Sequence, residues 1–116
     1  MIARMWRGSA IRERADDYVK HLERSVVPEL QQIDGFRGVY LLRQESSDGV
    51  EFVVLTLWES MEAIRKFAGE NFEVAVVAPA ARELFREYDA EVKHFEIALN
   101  LWGKPLVEEL GPNLCF

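Results

Sequence analysis

The sequence predicts a single α+β domain of strand, helix, strand, strand, helix, strand order, built on a four-stranded antiparallel sheet. Three observations carry that expectation. The chain has 116 residues, enough for one compact domain and too few for two ordinary ones. Hydrophobic residues make up 49% and charged residues 29%, which are globular rather than disordered proportions. Apolar residues recur at helical spacing in separate stretches, with short β-rich runs between them.

Residues 2–7 read as a first strand, broken by Gly8 and Ser9, with Ser9 placed to cap the helix that follows. Over residues 11–33, Ala15, Tyr18, Val19, Leu22, Val26, Leu30 and Ile33 share one apolar stripe, opposite a charged side that includes Arg12, Asp16, Lys20 and Glu23. Pro28 inside this pattern predicts a kink or the start of a second short helix, and Asp34-Gly35 predicts its end. Residues 36–44 and 50–58 form a hairpin across the polar turn at 45–49. Ser60 caps a helix that runs through about Phe67. Residues 72–78 are ambiguous, being valine-rich yet close behind a helix. Pro79 opens another helix with Leu84, Phe85 and Tyr88 on its apolar side, and residues 91–99 form the last strand. The domain spans residues 1–99. Residues 100–116, which hold Gly103, Pro105, Gly111 and Pro112, form a tail that packs on the domain or on a partner subunit. This order is the ferredoxin-like βαββαβ plan, with helices on one face of the sheet.

The strands are apolar on both sides. In the third strand Phe52, Val54 and Trp58 alternate with Val53, Leu55 and Leu57; in the second, Phe36, Tyr40 and Leu42 alternate with Val39 and Leu41. Helices cover one face only, so the other predicts a cover, either a second copy in a two-fold homodimer or the tail through Leu101, Trp102, Leu106, Val107 and Leu110.

The net charge of -6 and the lack of a Lys/Arg cluster argue against a nucleic-acid partner. The single cysteine, Cys115, cannot form an intrachain disulfide, and the reducing cytoplasm is the expected compartment. No apolar run reaches the roughly 18 residues of a membrane span, and no signal-peptide core follows the N-terminal arginines.

Few residues carry chemistry. His94 and Glu96 lie two apart on one strand face, close enough to share a proton; His94 is either a base that meets substrate or a half-buried histidine satisfied by a hydrogen bond. His21 falls off the centre of the helix stripe and reads as a surface residue. Trp6, Tyr40 and Trp58 sit on strands, where they serve as core or as pocket walls for a flat ligand. Arg4 shares a face with Trp6; pointing inward it requires an anion, from Glu96 or from a ligand. The histidines and the cysteine match no metal-site spacing, and no phosphate loop or nucleophile motif is present.

The run Phe52-Val53-Val54-Leu55-Thr56-Leu57-Trp58-Glu59-Ser60-Met61-Glu62-Ala63-Ile64-Arg65-Lys66-Phe67 resembles the strand-to-helix core of the antibiotic biosynthesis monooxygenase-like family, as do Gly35-Phe36-Arg37-Gly38 and Glu91-Val92-Lys93-His94-Phe95-Glu96. The resemblance covers roughly residues 1–99 and implies a dimeric α+β barrel. It implies a cofactor-independent monooxygenase of small aromatic or quinol-like substrates, with His94 as base or proton shuttle, Trp58, Trp6 and Tyr40 shaping the cavity, and Arg4 steadying negative charge. Other members degrade haem, using an asparagine on the first strand and a histidine in the second helical region. Here Trp58 matches the tryptophan of that group, but the first strand has no asparagine and residues 68–86 have no histidine, which disfavours haem degradation. The competing reading is a non-enzymatic small-molecule-binding or structural dimer, since one scaffold supports very different activities.

Overall fold

The computed structural model describes residues 1–103. The elements in chain order are β1 (Ile2–Ala10), α1 (Ala15–His21), α2 (Val27–Leu30), β2 (Phe36–Ser46), β3 (Gly49–Trp58), α3 (Met61–Ala68), α4 (Pro79–Arg82), β4 (Phe85–Tyr88) and β5 (Lys93–Glu96). A 3-10 turn at Arg12–Arg14 leads into α1, and a π-helical turn at Leu22–Val26 joins α1 to α2. All strand pairings are antiparallel, in the order β2-β3-β1-β4 with β5 also on β1. β4 lies along Gly8 to Ala10 and β5 along Ile2 to Met5. The expected four-stranded sheet is therefore present, with its fourth position divided between two short strands.

β1 does not break at Gly8 and Ser9 as the sequence suggested. It runs on to Ala10 because β3 and β4 hydrogen-bond both its edges there. Ser9 is buried within the strand, and no side chain caps the helical segment that follows. Gly8 has a packing reason: a Cβ at this position would lie 2.9 Å from the Phe85 ring. That ring meets Trp6 edge-on, with centroids 5.2 Å apart.

The helix expected from Pro79 is confined to α4, and Phe85 opens a strand instead. Phe85 and Tyr88 are three apart, which looks helical. A bulge sets two residues of β4 against one step of β1, between Ser9↔Glu87 and Ala10↔Phe85. Both rings thereby reach the Trp6 side of the sheet, at centroid distances of 5.2 and 5.9 Å. The last strand is likewise shorter than expected, and Leu99, Leu101 and Trp102 stand exposed beyond it. Leu106, Val107 and Leu110 lie outside the described residues.

Other local readings hold. Ser60 Oγ accepts the Ala63 N–H at 3.2 Å and caps α3. Pro28 sits in the first turn of α2, immediately after the π turn. A proline lacks the N–H of a regular helix and its ring collides with the carbonyl four residues back. The wider turn accommodates it: the Val27 N–H bonds to Leu22 O, five residues back.

The helix-facing side of the sheet carries two apolar clusters, one around Tyr18, Phe52 and Phe85, the other around Leu30, Trp58 and Ile64. A bulge in β2 between Phe36 and Gly38 turns Phe36 onto Trp58, ring centroids 5.3 Å apart, while Val39 and Leu41 continue on the same side opposite Thr56 and Val54. Strict alternation had put Phe36 with Tyr40. The opposite face holds Met5, Leu42, Leu55, Leu57 and Phe95 alongside Tyr40, and no element among the described residues covers it.

Gly35 closes the turn into β2 with φ +96, and a Cβ there would lie 2.5 Å from the Ala63 Cβ. Its carbonyl accepts the Glu59 N–H at 2.8 Å, so the turn cannot shift without breaking that bond. Gly35→Ala is expected to lower the unfolding free energy by about 2 kcal/mol or more. Urea titration of both proteins measures it; a loss below about 0.5 kcal/mol would show that the turn relaxes freely.

Candidate functional site

Between the helix-facing sheet and the segment from α1 to α2 lies a cavity of about 80 Å³. β1 supplies Arg4 and Trp6 to its wall and β3 supplies Val54 and Thr56. The π turn and its flanks add His21, Leu22 and Val26, and residues 76–78 line it as well. Two pairings fix the floor: Arg4 opposite Thr56 and Trp6 opposite Val54. Residues two apart on a strand share a face, so the guanidinium and the indole enter the cavity together.

Arg4 is 5% exposed. One of its terminal nitrogens donates to Phe72 O at 2.5 Å and lies 3.0 Å from His94 Nε2; the other donates to Val74 O at 3.2 Å. The Phe67 ring lies 5.8 Å from the guanidinium carbon. No carboxylate among the described residues forms an ion pair with it. Burial holds its pKa down at about 10, so it is still charged at neutral pH. The anion that the sequence required is thus not Glu96, which is exposed and lies opposite Ile2 in the ladder.

His94 stands opposite Arg4 in the β1–β5 ladder. A guanidinium offers donors only, so His94 Nε2 accepts and its proton sits on Nδ1. Burial lowers the His94 pKa first and the Arg4 charge lowers it further, with Glu73 pulling the other way. The ring also meets Phe72 edge-on at 5.7 Å. His94 does not line the cavity; it borders surface grooves beside Phe72, Glu73 and Glu96. It touches the site through Arg4.

The other expected residues separate. Trp6 is on the wall, its Nε1–H donating to Asp89 O at 2.8 Å. Trp58 is fully buried among Leu30 and Ile64, and its Nε1–H donates to Thr56 Oγ1 at 2.8 Å, which makes it a core residue that positions a cavity threonine. Tyr40 pairs with Leu55 on the far face of the sheet, 44% exposed, and does not meet the cavity.

His21 was read as a surface residue and is instead half-buried on the wall. Its ring centroid is 6.2 Å from that of Tyr18, which is itself buried on the same wall. The signal was in the sequence: positions 18, 21 and 22 share a helix face, and the π turn after His21 enlarges the inward surface. Burial raises the Tyr18 pKa, so its hydroxyl stays protonated. The cavity therefore combines a fixed cation, an imidazole, a neutral phenol and an indole within apolar walls.

A family model described as antibiotic biosynthesis monooxygenase matches residues 1–76. No curated protein matches the sequence. Among solved structures, a candidate antibiotic biosynthesis monooxygenase from Bacillus cereus superposes with a TM-score of 0.61 at 14% identity, over 90% of this chain and 97% of that one. A second such protein, from Deinococcus radiodurans, gives 0.61 at 18% identity, over 89% and 100%. The heme-degrader MhuD of Mycobacterium tuberculosis, with two hemes in its active site, gives 0.57 at 19% identity, over 88% and 100%. At these identities the likeness establishes the fold.

The Arg4–His94 contact has a pH signature. The unfolded chain protonates its histidine near the ordinary value of 6.5, whereas folded His94 takes the proton only at lower pH. Its contribution is complete above pH 6.5 and declines as the pH falls from there through the folded value. Urea midpoints between pH 7.5 and 5 are expected to drop in the native protein and to drop less in His94→Gln, which keeps an acceptor but does not titrate. Parallel curves for the two would exclude the contact as the source.

Proposed function

The chain belongs to the antibiotic biosynthesis monooxygenase family, and from that premise we propose that it is a cofactor-independent monooxygenase of a small aromatic or quinol-like substrate. One observation carries the reading: a largely apolar cavity whose wall holds both a cation, Arg4, and a proton acceptor, His21. The volume of about 80 Å³ lies far below the ~300–1,000 Å³ of pockets for larger ligands, which supports a one-ring substrate over a porphyrin. It is also below the ~150 Å³ of a cavity that holds benzene, so a ring needs the lining side chains to give way.

In this reading His21 removes a hydroxyl proton from the bound quinol, and Arg4 steadies the resulting anion. The electron-rich ring then reduces oxygen. A ring carbon forms a bond to oxygen as a peroxide; the O–O bond breaks, one atom stays on the ring and the other leaves as water. The quinol supplies all four electrons and becomes a hydroxyquinone. His94, first read as the base, acts through Arg4 as a positioning residue. Non-enzymatic binding is the rival reading, favoured by the small volume, and the same assay decides it.

Oxygen-electrode traces with hydroquinones are expected to show enzyme-dependent uptake, with kcat in His21→Gln lower by about 10² to 10⁴-fold at neutral pH and KM little changed. Loss in His94→Gln without loss in His21→Gln would return the proton transfer to His94. No uptake from any one-ring quinol would leave the binding reading.

The open apolar face supports a homodimer, in which a second copy covers Tyr40, Leu42, Leu55 and Phe95. Light scattering is expected to give about twice the 13.4 kDa chain mass, and Leu55→Arg about once. A wild-type monomer would exclude this cover.

A further inference from the structure

We propose that the ligand of this cavity is a small aromatic acid, its carboxylate seated on the Arg4 guanidinium. The inference rests on the reading of the cavity as the substrate site, and it names the class of substrate.

The argument starts from the donors. A guanidinium carries five N–H groups. Phe72 O, Val74 O and His94 Nε2 take three, and the Nε–H and one terminal N–H remain. A planar fork of that kind matches the two oxygens of a carboxylate. The charge itself has no ion-pair partner among the described residues: two carbonyl dipoles and a neutral imidazole surround it, and Glu73 acts on that imidazole rather than pairing with Arg4. Its low exposure of 5% leaves bulk water little direct access to it. An isolated buried cation is costly, and a bound anion removes that cost.

The walls define the rest of the ligand. Trp6 and Tyr18 offer ring faces and edges, and Leu22, Val54 and Val77 offer aliphatic surface. A flat ring with one acidic group meets both demands. A phosphate or sulfate ester would bring a larger, more strongly hydrated anion to a single cation in a cavity of about 80 Å³. The loop carbonyls on Arg4 belong to the irregular segment between α3 and α4, which also lines the cavity.

The test uses the full chain, with benzoate as probe and benzamide as its neutral counterpart. Calorimetry is expected to give benzoate at least tenfold tighter binding than benzamide, with that preference lost in Arg4→Met and reduced in Arg4→Lys. Because removing a buried arginine can unfold the domain, the wild-type protein carries a second readout: the Arg4 Nε–H resonance, assigned by its absence in Arg4→Lys, shifts with benzoate and not with benzamide. Equal affinities, or no binding and an unmoved resonance at millimolar benzoate, overturn the proposal. Oxygen uptake separates it from the oxygenase reading. If 2,5-dihydroxybenzoate binds and shifts Arg4 without uptake, the acid site stands and the oxygenase falls. If hydroquinone is turned over and benzoate does not compete, the oxygenase stands and the acid site falls.

Discussion

Everything in this fold hangs on β1 being hydrogen-bonded along both edges. β3 pairs with all nine of its residues, and β5 and β4 together occupy most of the other side. A strand held in that way cannot slip, because a one-residue shift would exchange its two faces. Register on β1 therefore fixes Arg4, Trp6, Gly8 and Ala10 toward the helices and Ala3, Met5 and Arg7 away from them. The cavity exists because two large polar-tipped side chains, Arg4 and Trp6, precede two small residues on that inward row. Phe85 and Tyr18 fill the small end and meet at 4.7 Å, while the large end stays open.

The same alternation creates the second feature, a sheet that is apolar on both sides. Phe52 and Trp58 satisfy the inward face by packing against helix residues such as Tyr18, Leu30 and Ile64. The outward row of β3, Val53, Leu55 and Leu57, pairs with Leu42, Tyr40 and the β2 bulge, and remains half-exposed. One face is thus covered by helices of the same chain and lines the cavity; the other has no cover among the described residues. The two are separated by a single layer of backbone, so anything that clamps the sheet from outside also stiffens the floor of the cavity.

The buried guanidinium joins three parts of the fold at one point. Its carbonyl partners tie the loop between α3 and α4 to β1, and its imidazole partner ties β5 to the same point. Arg4 accordingly acts as a structural hub while also lining the cavity. His94, an attractive base in the sequence, has its Nε2 engaged by that cation and lies off the cavity wall.

By itself the sequence determined the α+β order, the hairpin, the Ser60 cap, the break at Pro28, the two apolar sheet faces and the shared face of Arg4 and Trp6. Each is set by neighbours within a few positions, through the periods of strand and helix. It misread Phe85 and Tyr88 because a bulge made a strand look helical, and it misplaced His21 because the π turn altered the inward surface of the helix. It could not name what surrounds Arg4, since Phe72, Val74 and His94 lie 68, 70 and 90 residues away. Only closure of the sheet brings those groups together. Local periodicity fixes which side a residue faces, and tertiary packing alone fixes what it meets there.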